Sequence, residues 1–545
     1  MKIPFSRRDF LKTSALATGA GLTAPLWQSR LLAAAGAPAA NAYPAPEIPP
    51  GPFDANRASL SEYVVPDWFR DAKFGIFAHW GPQSAAEYGD WYARRMYVEG
   101  EAQYKHHLEH YGHPSKTGFV DVIKSWKADK FDADYLLGLY KKAGAKYFVS
   151  MGVHHDNFDL WNSKYQPRWN AAASGPKIDI VGQFRKAAQN HGLRFGVSEH
   201  LSNSYCWYGT AHGSDKAGPL AGVPYDGQDP QFADLYHDYS PMPADFVQKV
   251  VTAPAKGAIA MSTEGPAAWR ENYFARILDL VTQYEPDILY TDGGIPFGDA
   301  GHALVAHLYN TRARRLGGKV DSIYTSKSRP DSASGMCVLD VERGLVDSIW
   351  PRAWQTDTCV GNWHYDTRAR YKTPKYVIDM LVDIVSRNGN LLLNFPLPNS
   401  GMLDAKELAI IDGITAWMAV NSEAIHATRP WKIFGAGPGS EIKAVPGKQF
   451  NENSRKDFTA EEVRFTIKGA TLYAFFMGWP EKEIVIAPLA TGSPNVVGKI
   501  ENVELLGYPG KLEWKHDEKG LTAQLPAQKP CDFGCALKIT GLATA

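Results

Sequence analysis

Between Trp68 and Val420, short runs rich in Val, Ile, Leu, Phe and Tyr alternate with amphipathic stretches, and this alternation restricts the fold more than any other feature. Parallel strands cannot be joined by tight turns, so a strand followed by a helix implies a crossover onto a neighbouring parallel strand. The strand candidates are Lys73–His79, Lys146–Val153, Arg194–Ser198, Ile288–Thr291, Asp321–Thr325, Asp347–Pro351 and Asn390–Phe395. Helices are expected over Phe131–Ala143, Ile180–His191, Trp269–Tyr284 and Lys375–Arg387. Seven or eight such units in about 350 residues fit an α/β fold of the (β/α)8-like TIM barrel type. The first strand lacks the Gly-rich loop that opens a doubly wound nucleotide-binding sheet.

Barrel enzymes build their sites at the carboxyl ends of the strands. Nearly every candidate strand here ends in polar or ionisable residues: His79, His154-His155-Asp156, Glu199-His200 and Asp292. In a closed barrel these ends converge. From about Pro430 the pattern changes to period-two segments, Val463–Ile467, Thr471–Met477, Glu483–Pro488 and Ala536–Ile539, separated by turn residues. That reads as a C-terminal antiparallel β-sandwich, either a carbohydrate-binding module or a packing partner for the barrel. The expected division is therefore 1–42, 43–428 for the barrel and 429–545 for the sandwich. The Gly/Pro-rich stretch Ala211–Gly265 reads as a long insertion near the site.

Residues 1–42 carry Ser6-Arg7-Arg8-Asp9-Phe10-Leu11-Lys12 ahead of a modestly apolar, Ala-rich stretch. This is the pattern of a twin-arginine export signal, which implies a periplasmic or extracellular protein. No other stretch has the roughly 20 apolar residues a bilayer span needs. Lys+Arg and Asp+Glu each number 58, so no global basic excess attracts nucleic acid, and an uncharged partner is expected. The five cysteines match no zinc framework; Cys531 and Cys535 either pair across a short loop or remain free thiols.

In Asp287-Ile288-Leu289-Tyr290-Thr291-Asp292-Gly293-Gly294, a strand runs directly into a carboxylate and two glycines. Asp292 is either a pocket-facing nucleophile on rigid scaffold or a cap of the next helix. Glycoside hydrolysis ordinarily needs a second carboxyl group held protonated. Asp340, Glu342 and Asp347 are the candidates, and Glu342 is favoured because it shortly precedes the aromatic Trp350-Pro351-Arg352-Ala353-Trp354 segment; a rim ion pair with Arg343 is its alternative reading. His79, His154, His155 and His200 form a set suited to hydrogen bonding sugar hydroxyls. With Asp156, Glu199 and Asp292 the same set would instead suit a metal ion.

The segment Trp68-Phe69-Arg70-Asp71-Ala72-Lys73-Phe74-Gly75-Ile76-Phe77-Ala78-His79-Trp80-Gly81 closely resembles the opening barrel motif of the family-29 glycoside hydrolases, the α-L-fucosidases. Asp90-Trp91-Tyr92, His154-His155-Asp156-Asn157-Phe158, Tyr284-Glu285-Pro286-Asp287 running to Asp292-Gly293-Gly294, and Asn388-Gly389-Asn390-Leu391-Leu392-Leu393-Asn394 resemble its later motifs in the same order. The resemblance implies a barrel followed by a β-sandwich, retention of configuration, an Asp nucleophile and no metal or other cofactor. Asp292 resembles the nucleophile and Glu342 the general acid/base. His79, Trp91, His154 and His155 resemble residues that grip fucose hydroxyls, and Trp363 an aromatic at the sugar's methyl face. A family arginine after the nucleophile is represented by Arg329 or replaced by Lys327.

The pattern also departs from the family. Asp90 stands where Glu is usual, Tyr290 where Trp is usual two residues before the nucleophile, and Asn157 where Gly is usual after the histidine pair. The late motif continues as Asn394-Phe395-Pro396-Leu397. With Asp90, Glu199, His200 and Tyr290 added at strand ends, the expected substrate is a fucosylated oligosaccharide or polysaccharide, cleaved with two carboxyl groups about 5–5.5 Å apart. The alternatives are an α-L-galactosidase, in which the Tyr290 hydroxyl meets the extra hydroxymethyl oxygen, a non-catalytic carbohydrate-binding relative, and a metal-dependent hydrolase.

Overall fold

The structure, a computed structural model, describes residues 47–440, 450–452 and 457–544. The twin-arginine segment lies outside the described residues. Eight strands, β1 (Phe74–Ala78), β2 (Tyr147–Val153), β3 (Arg194–Glu199), β4 (Ile288–Thr291), β5 (Ile323–Ser326), β6 (Val338–Asp340), β7 (Trp354–Cys359) and β8 (Gly389–Asn394), form a closed barrel in sequence order. β8 returns to β1 in parallel register, with Phe74 beside Leu391 and Phe77 beside Asn394. β1, β2 and β8 are buried along their whole length, as strands covered on both faces must be. Close approach also sets composition: a Cβ at Gly75 would lie 2.3 Å from the Tyr147 ring on β2, so only glycine leaves room for that ring inside the barrel.

Helices cover the barrel where local chemistry starts them. Asp132, Asp179 and Thr373 accept hydrogen bonds from the first-turn amides of the helices Ala133–Lys142, Ile180–Asn190 and Pro374–Ser386. Asp404 and Glu407 form a reciprocal capping box at the start of Ala405–Asn421. Two of the barrel strands differ from expectation. Asp347–Pro351 is an irregular turn, and the sixth and seventh strands are β6 and β7 instead. β6 is only three residues long, and β7 (Trp-Gln-Thr-Asp-Thr-Cys) is buried yet polar. Its Gln355 accepts from the Tyr147 hydroxyl at 2.8 Å and donates to Asp340 at 2.8 Å, so an apolar-run criterion passes over it.

The C-terminal part holds β9 (Arg429–Ala436), β10 (Val463–Lys468), β11 (Thr471–Phe476), β12 (Glu483–Ile486), β13 (Gly498–Leu505), β14 (Trp514–Asp517), β15 (Gly520–Gln524) and β16 (Cys535–Leu542). They form antiparallel sheets of five strands, ordered β13-β16-β11-β10-β9, and three, ordered β12-β15-β14. The sheets and barrel belong to one compact unit, Pro44–Ala545. Buried Arg464 on β10 reaches Asp383 of the helix Pro374–Ser386 at 2.6 Å, and Trp417 of the helix Ala405–Asn421 donates to the Gly534 carbonyl at 2.6 Å. Cys531 and Cys535 are free thiols with sulfurs 3.5 Å apart.

The insertion Ala211–Gly265 folds as short helical turns, including Ala233–Tyr236 and Ala244–Val251. Two aspartates hold it down. Asp226 accepts from Tyr97 and Tyr236, each at 2.6 Å, and Asp215 accepts from Tyr104 at 2.6 Å and from Tyr225. Fully buried Arg94 donates to the carbonyls of Ala255, Pro254 and Trp207, which brings the end of the insertion to the mouth of the barrel.

Candidate active site

The carboxyl ends of the strands surround a pocket of about 770 Å³ whose lining includes His79, His154, His200, Tyr290, Asp292, Lys327, Glu342 and Asp357. Asp292 directly follows β4, its amide donating to the Glu199 carbonyl at 3.2 Å. Glu342 lies just past β6, with its Oε1 accepting from the Trp363 indole at 3.0 Å. Both carboxyl groups are nearly buried, with side chains 13% and 14% exposed.

Lys327, just past β5, connects them. Its Nζ is 2.5 Å from Asp292 Oδ1 and 2.5 Å from Glu342 Oε2. Because both oxygens touch one nitrogen, they are separated by at most twice that distance, 5.0 Å. Arg329, the other candidate for this place, stacks instead over Trp350 at 5.6 Å. Behind Lys327 the Tyr290 hydroxyl donates to Asp357 at 2.8 Å and contacts Asp340 at 3.2 Å.

The two carboxyl groups are driven apart electrostatically. Burial alone would raise Asp292, but the Lys327 ammonium, His200 and hydrogen bonds from His155 and His200 hold it well below the usual carboxylate range. Burial pushes Glu342 up to about 7; Lys327 opposes that, and the neighbouring carboxyl groups of Asp357 and Asp292 reinforce it. Burial also raises Asp357, with Asp340 adding to the effect. One group is therefore ionised and the other protonated near neutrality, the division of labour that acid/base chemistry on a single site requires.

The histidines follow from the strand ends. Burial and neighbouring imidazoles hold His79 and His154 well below the ordinary value, and burial brings His200 down to about 4. His200 Nε2 contacts Ser198 Oγ at 2.8 Å and Nδ1 faces Asp292 at 3.2 Å; His155 spans the His200 carbonyl at 2.6 Å and Asp292 at 3.3 Å. Gln83 meets His154 Nδ1 at 2.9 Å. Both ring nitrogens of buried His79 lack a protein partner, so this ring has hydrogen-bonding capacity to spend on a ligand. Asn394, at the end of β8, accepts from the His79 amide at 2.8 Å and donates to the Trp363 carbonyl at 2.9 Å, setting two walls at once.

Other anticipated residues are placed as follows. Asp90 and Trp91 line the pocket, with Asp90 paired to His364 Nδ1 at 2.9 Å. Trp363 lines it beside Glu342. Glu199 is fully buried and turned to the scaffold, accepting from Thr291 at 2.7 Å and Tyr273 at 3.0 Å, and is absent from the pocket lining. Burial raises it to about 7. Asp347 accepts from Ser348 and likewise stays outside the pocket. Among the residues that sequence reasoning left out are Gln83, Asp357, His364 and Phe450. The only available signal was for His364, which follows Trp363.

Asn157 adopts φ 60°, a left-handed conformation that Asn tolerates well, and this accounts for Asn where the family pattern has Gly. Three pocket-lining residues, Trp91, Arg343 and Phe450, share that strained region at φ 58°, 45° and 59°. Two groups of side chains bring ligating atoms within 4.8 Å of one another: His79, Asp90, His154 and His364, and His154, His155 and His200. In the first group His154 Nδ1 and His364 Nδ1 already have protein partners, whereas both nitrogens of His79 and Nε2 of His364 have none.

A parallel barrel carrying paired carboxyl groups of opposite ionisation beside neutral imidazoles defines the class as glycoside hydrolase. The family described as Alpha-L-fucosidase matches residues 43–423, and its C-terminal domain matches 455–540. The chain belongs to the α-L-fucosidase family. Tissue alpha-L-fucosidase of Homo sapiens is 24% identical over 515 residues, covering 91% of this chain and 93% of that protein. Plasma alpha-L-fucosidase of Homo sapiens is 26% identical over 509 residues, covering 90% and 93%. Among solved structures, the Thermotoga maritima alpha-fucosidase in complex with fucose shares the fold at TM-score 0.64 and 23% identity, covering 89% of this chain and 99% of that one. A twin-arginine translocation signal matches residues 4–24, which assigns the chain to export into the periplasm or beyond. Among the described residues no helix is long and apolar enough to cross a membrane.

Proposed function

We propose that the chain removes terminal α-L-fucosyl groups from glycans by double displacement with retention of configuration. The observation that carries this reading is the shared Lys327 contact, which holds one oxygen of each carboxyl group within 5.0 Å of the other, close to the roughly 5–5.5 Å spacing of retaining enzymes and short of the roughly 6.5–9.5 Å of inverting ones. An Asp292 oxygen attacks the anomeric carbon while the bond to the glycosidic oxygen breaks, and Glu342 delivers its proton to that oxygen. A covalent glycosyl ester on Asp292 results. Glu342, now ionised, takes a proton from water; the water oxygen attacks the same carbon, the ester bond breaks, and Asp292 is released as carboxylate.

His79, His154 and His200 supply neutral donors and acceptors for the sugar hydroxyls. The Phe77, Tyr290 and Trp363 rings form the apolar wall, with Phe77 5.7 Å from Tyr290 and 6.3 Å from Trp363. The Tyr290 hydroxyl points to Asp357 and Asp340, so its ring is what remains for the ligand, which favours the methyl of fucose over the hydroxymethyl of L-galactose.

Release of p-nitrophenol from its α-L-fucoside and α-L-galactoside by the wild type and Asp292→Ala tests the assignment. The expected result is turnover of the fucoside by the wild type, faster than the galactoside. Asp292→Ala should lose at least about 10³-fold while keeping its folded circular dichroism. Proton NMR should show α-L-fucose as the first-formed anomer. Near-normal activity in Asp292→Ala or a β anomer as first product would sink the mechanism.

A further inference from the structure

Glu342 and its neighbour Arg343 are held from outside the barrel. The Phe450 amide donates to the Glu342 carbonyl at 2.8 Å, and the Glu452 amide donates to the Arg343 carbonyl at 2.8 Å. Buried Glu452 is fixed in turn by Arg343 at 2.9 Å, Lys372 at 3.2 Å and the Thr358 hydroxyl at 2.6 Å. The segment 450–452 is therefore bound to the loop that carries Glu342 by two backbone bonds and one buried carboxylate.

Phe450 occupies this fixed place in an unusual way. The residue is 60% exposed, yet it lines the same pocket as Asp292 and Glu342. Its backbone is left-handed at φ 59°, which is costly for a residue with a Cβ and is retained where surrounding contacts over-determine it. An isolated exposed apolar side chain needs no explanation. An exposed ring anchored in a strained backbone beside a general acid does. Among the described residues no aromatic ring or cation is paired with it.

The proton donor must reach the glycosidic oxygen, so whatever that oxygen carries leaves past Glu342. In the fucosidase reading the fucosyl ring takes the deep end, among the buried His79, His154 and His200. We propose that Phe450 is the aglycone platform, stacking against the apolar C–H face of the sugar ring next to the departing fucosyl group. The aglycone class it selects is a pyranose rather than a small or acyclic alcohol. Met261, 38% exposed and contributed by the insertion, lines the same pocket and adds apolar surface. This assignment rests on the fucosidase reading above and extends it to the leaving group.

The test compares Phe450→Ala, Phe450→Tyr and the wild type on two substrates: an α-L-fucosyl disaccharide, and α-L-fucosyl fluoride, whose leaving group is a single atom. Loss of a stacked ring should lower the disaccharide-to-fluoride ratio of kcat/KM by about two- to tenfold in Phe450→Ala, and Phe450→Tyr should restore it. An unchanged ratio in Phe450→Ala, whether both substrates lose equally or neither loses, would overturn the proposal. A wild type inactive on both substrates would instead overturn the fucosidase reading and this one with it. The residue is mostly exposed, so its truncation leaves the folded core intact.

Discussion

Replacing Lys327 with Met removes one charge from between two carboxyl groups while keeping a side chain of similar length. Each carboxylate oxygen lies 2.5 Å from the ammonium. A contact cation of this kind lowers a carboxyl pKa by about one to three units, or about 1.4–4 kcal/mol for each group. Glu342 stands at about 7 with Lys327 pulling it down, so without that charge the proton is held more tightly. The alkaline limb of kcat/KM, which the proposed mechanism ties to loss of the Glu342 proton, should then move up by about one to three pH units. Asp292, held low largely by the same ammonium, should move in the same direction and carry the acid limb with it. The assay is the pH dependence of kcat/KM for both proteins on an α-L-fucosyl disaccharide, whose leaving oxygen needs the proton. A profile displaced bodily toward alkali is expected, with a lower maximum because the two groups lose their common anchor. An alkaline limb that stays in place or moves toward acid would refute the electrostatic role given to Lys327.

Two further perturbations separate the remaining roles. Glu342→Gln keeps the acceptor for the Trp363 indole but cannot protonate a leaving oxygen; kcat/KM on a fucosyl disaccharide should fall by about 10²–10⁴. An activated aryl fucoside should lose much less, and equal losses on both would move the acid role to Asp340 or Asp357. Dialysis against EDTA should leave kcat/KM unchanged, because the proposed steps need only Asp292, Glu342 and water; a loss reversed by zinc would give the histidine cluster a metal instead.

The barrel was legible because β1, β2 and β8 each carry an apolar stretch, Phe-Gly-Ile-Phe-Ala, Tyr-Phe-Val and Leu-Leu-Leu, in alternation with amphipathic helices, as parallel strands covered on both faces do. β7 was hidden for the opposite reason: its Gln355 and Asp357 face a polar interior shared with Tyr147, Tyr290 and Asp340, so hydrophobicity gives no sign of the strand. The grouping of His79, His154 and His200 with Asp292 follows from strand ends alone, since closure brings all such ends together. The choice between Lys327 and Arg329 did not. Two residues apart, they diverge because Lys327 follows β5 into the pocket while Arg329 begins the short helix Arg329–Ser334. Glu199 misled for a related reason: it shares a strand end with His200, and the period of two along a strand turns one into the pocket and the other into the scaffold. Phe450 was beyond reach, because nothing local in residues 450–452 announces that they return to a loop more than a hundred positions earlier.

The bond between the His79 amide and Asn394 joins residues 315 positions apart and closes the ring of strands. A ribosome adding about 5–20 residues per second needs roughly 15–60 s to synthesise the chain between these partners. Throughout that time β1, an uninterrupted Phe-Gly-Ile-Phe-Ala ribbon, has one open edge and no permanent neighbour there. Any nascent or truncated chain lacking the last strand thus presents a sticky β edge where the finished enzyme has none, and the sugar pocket comes into being only when that edge is sealed.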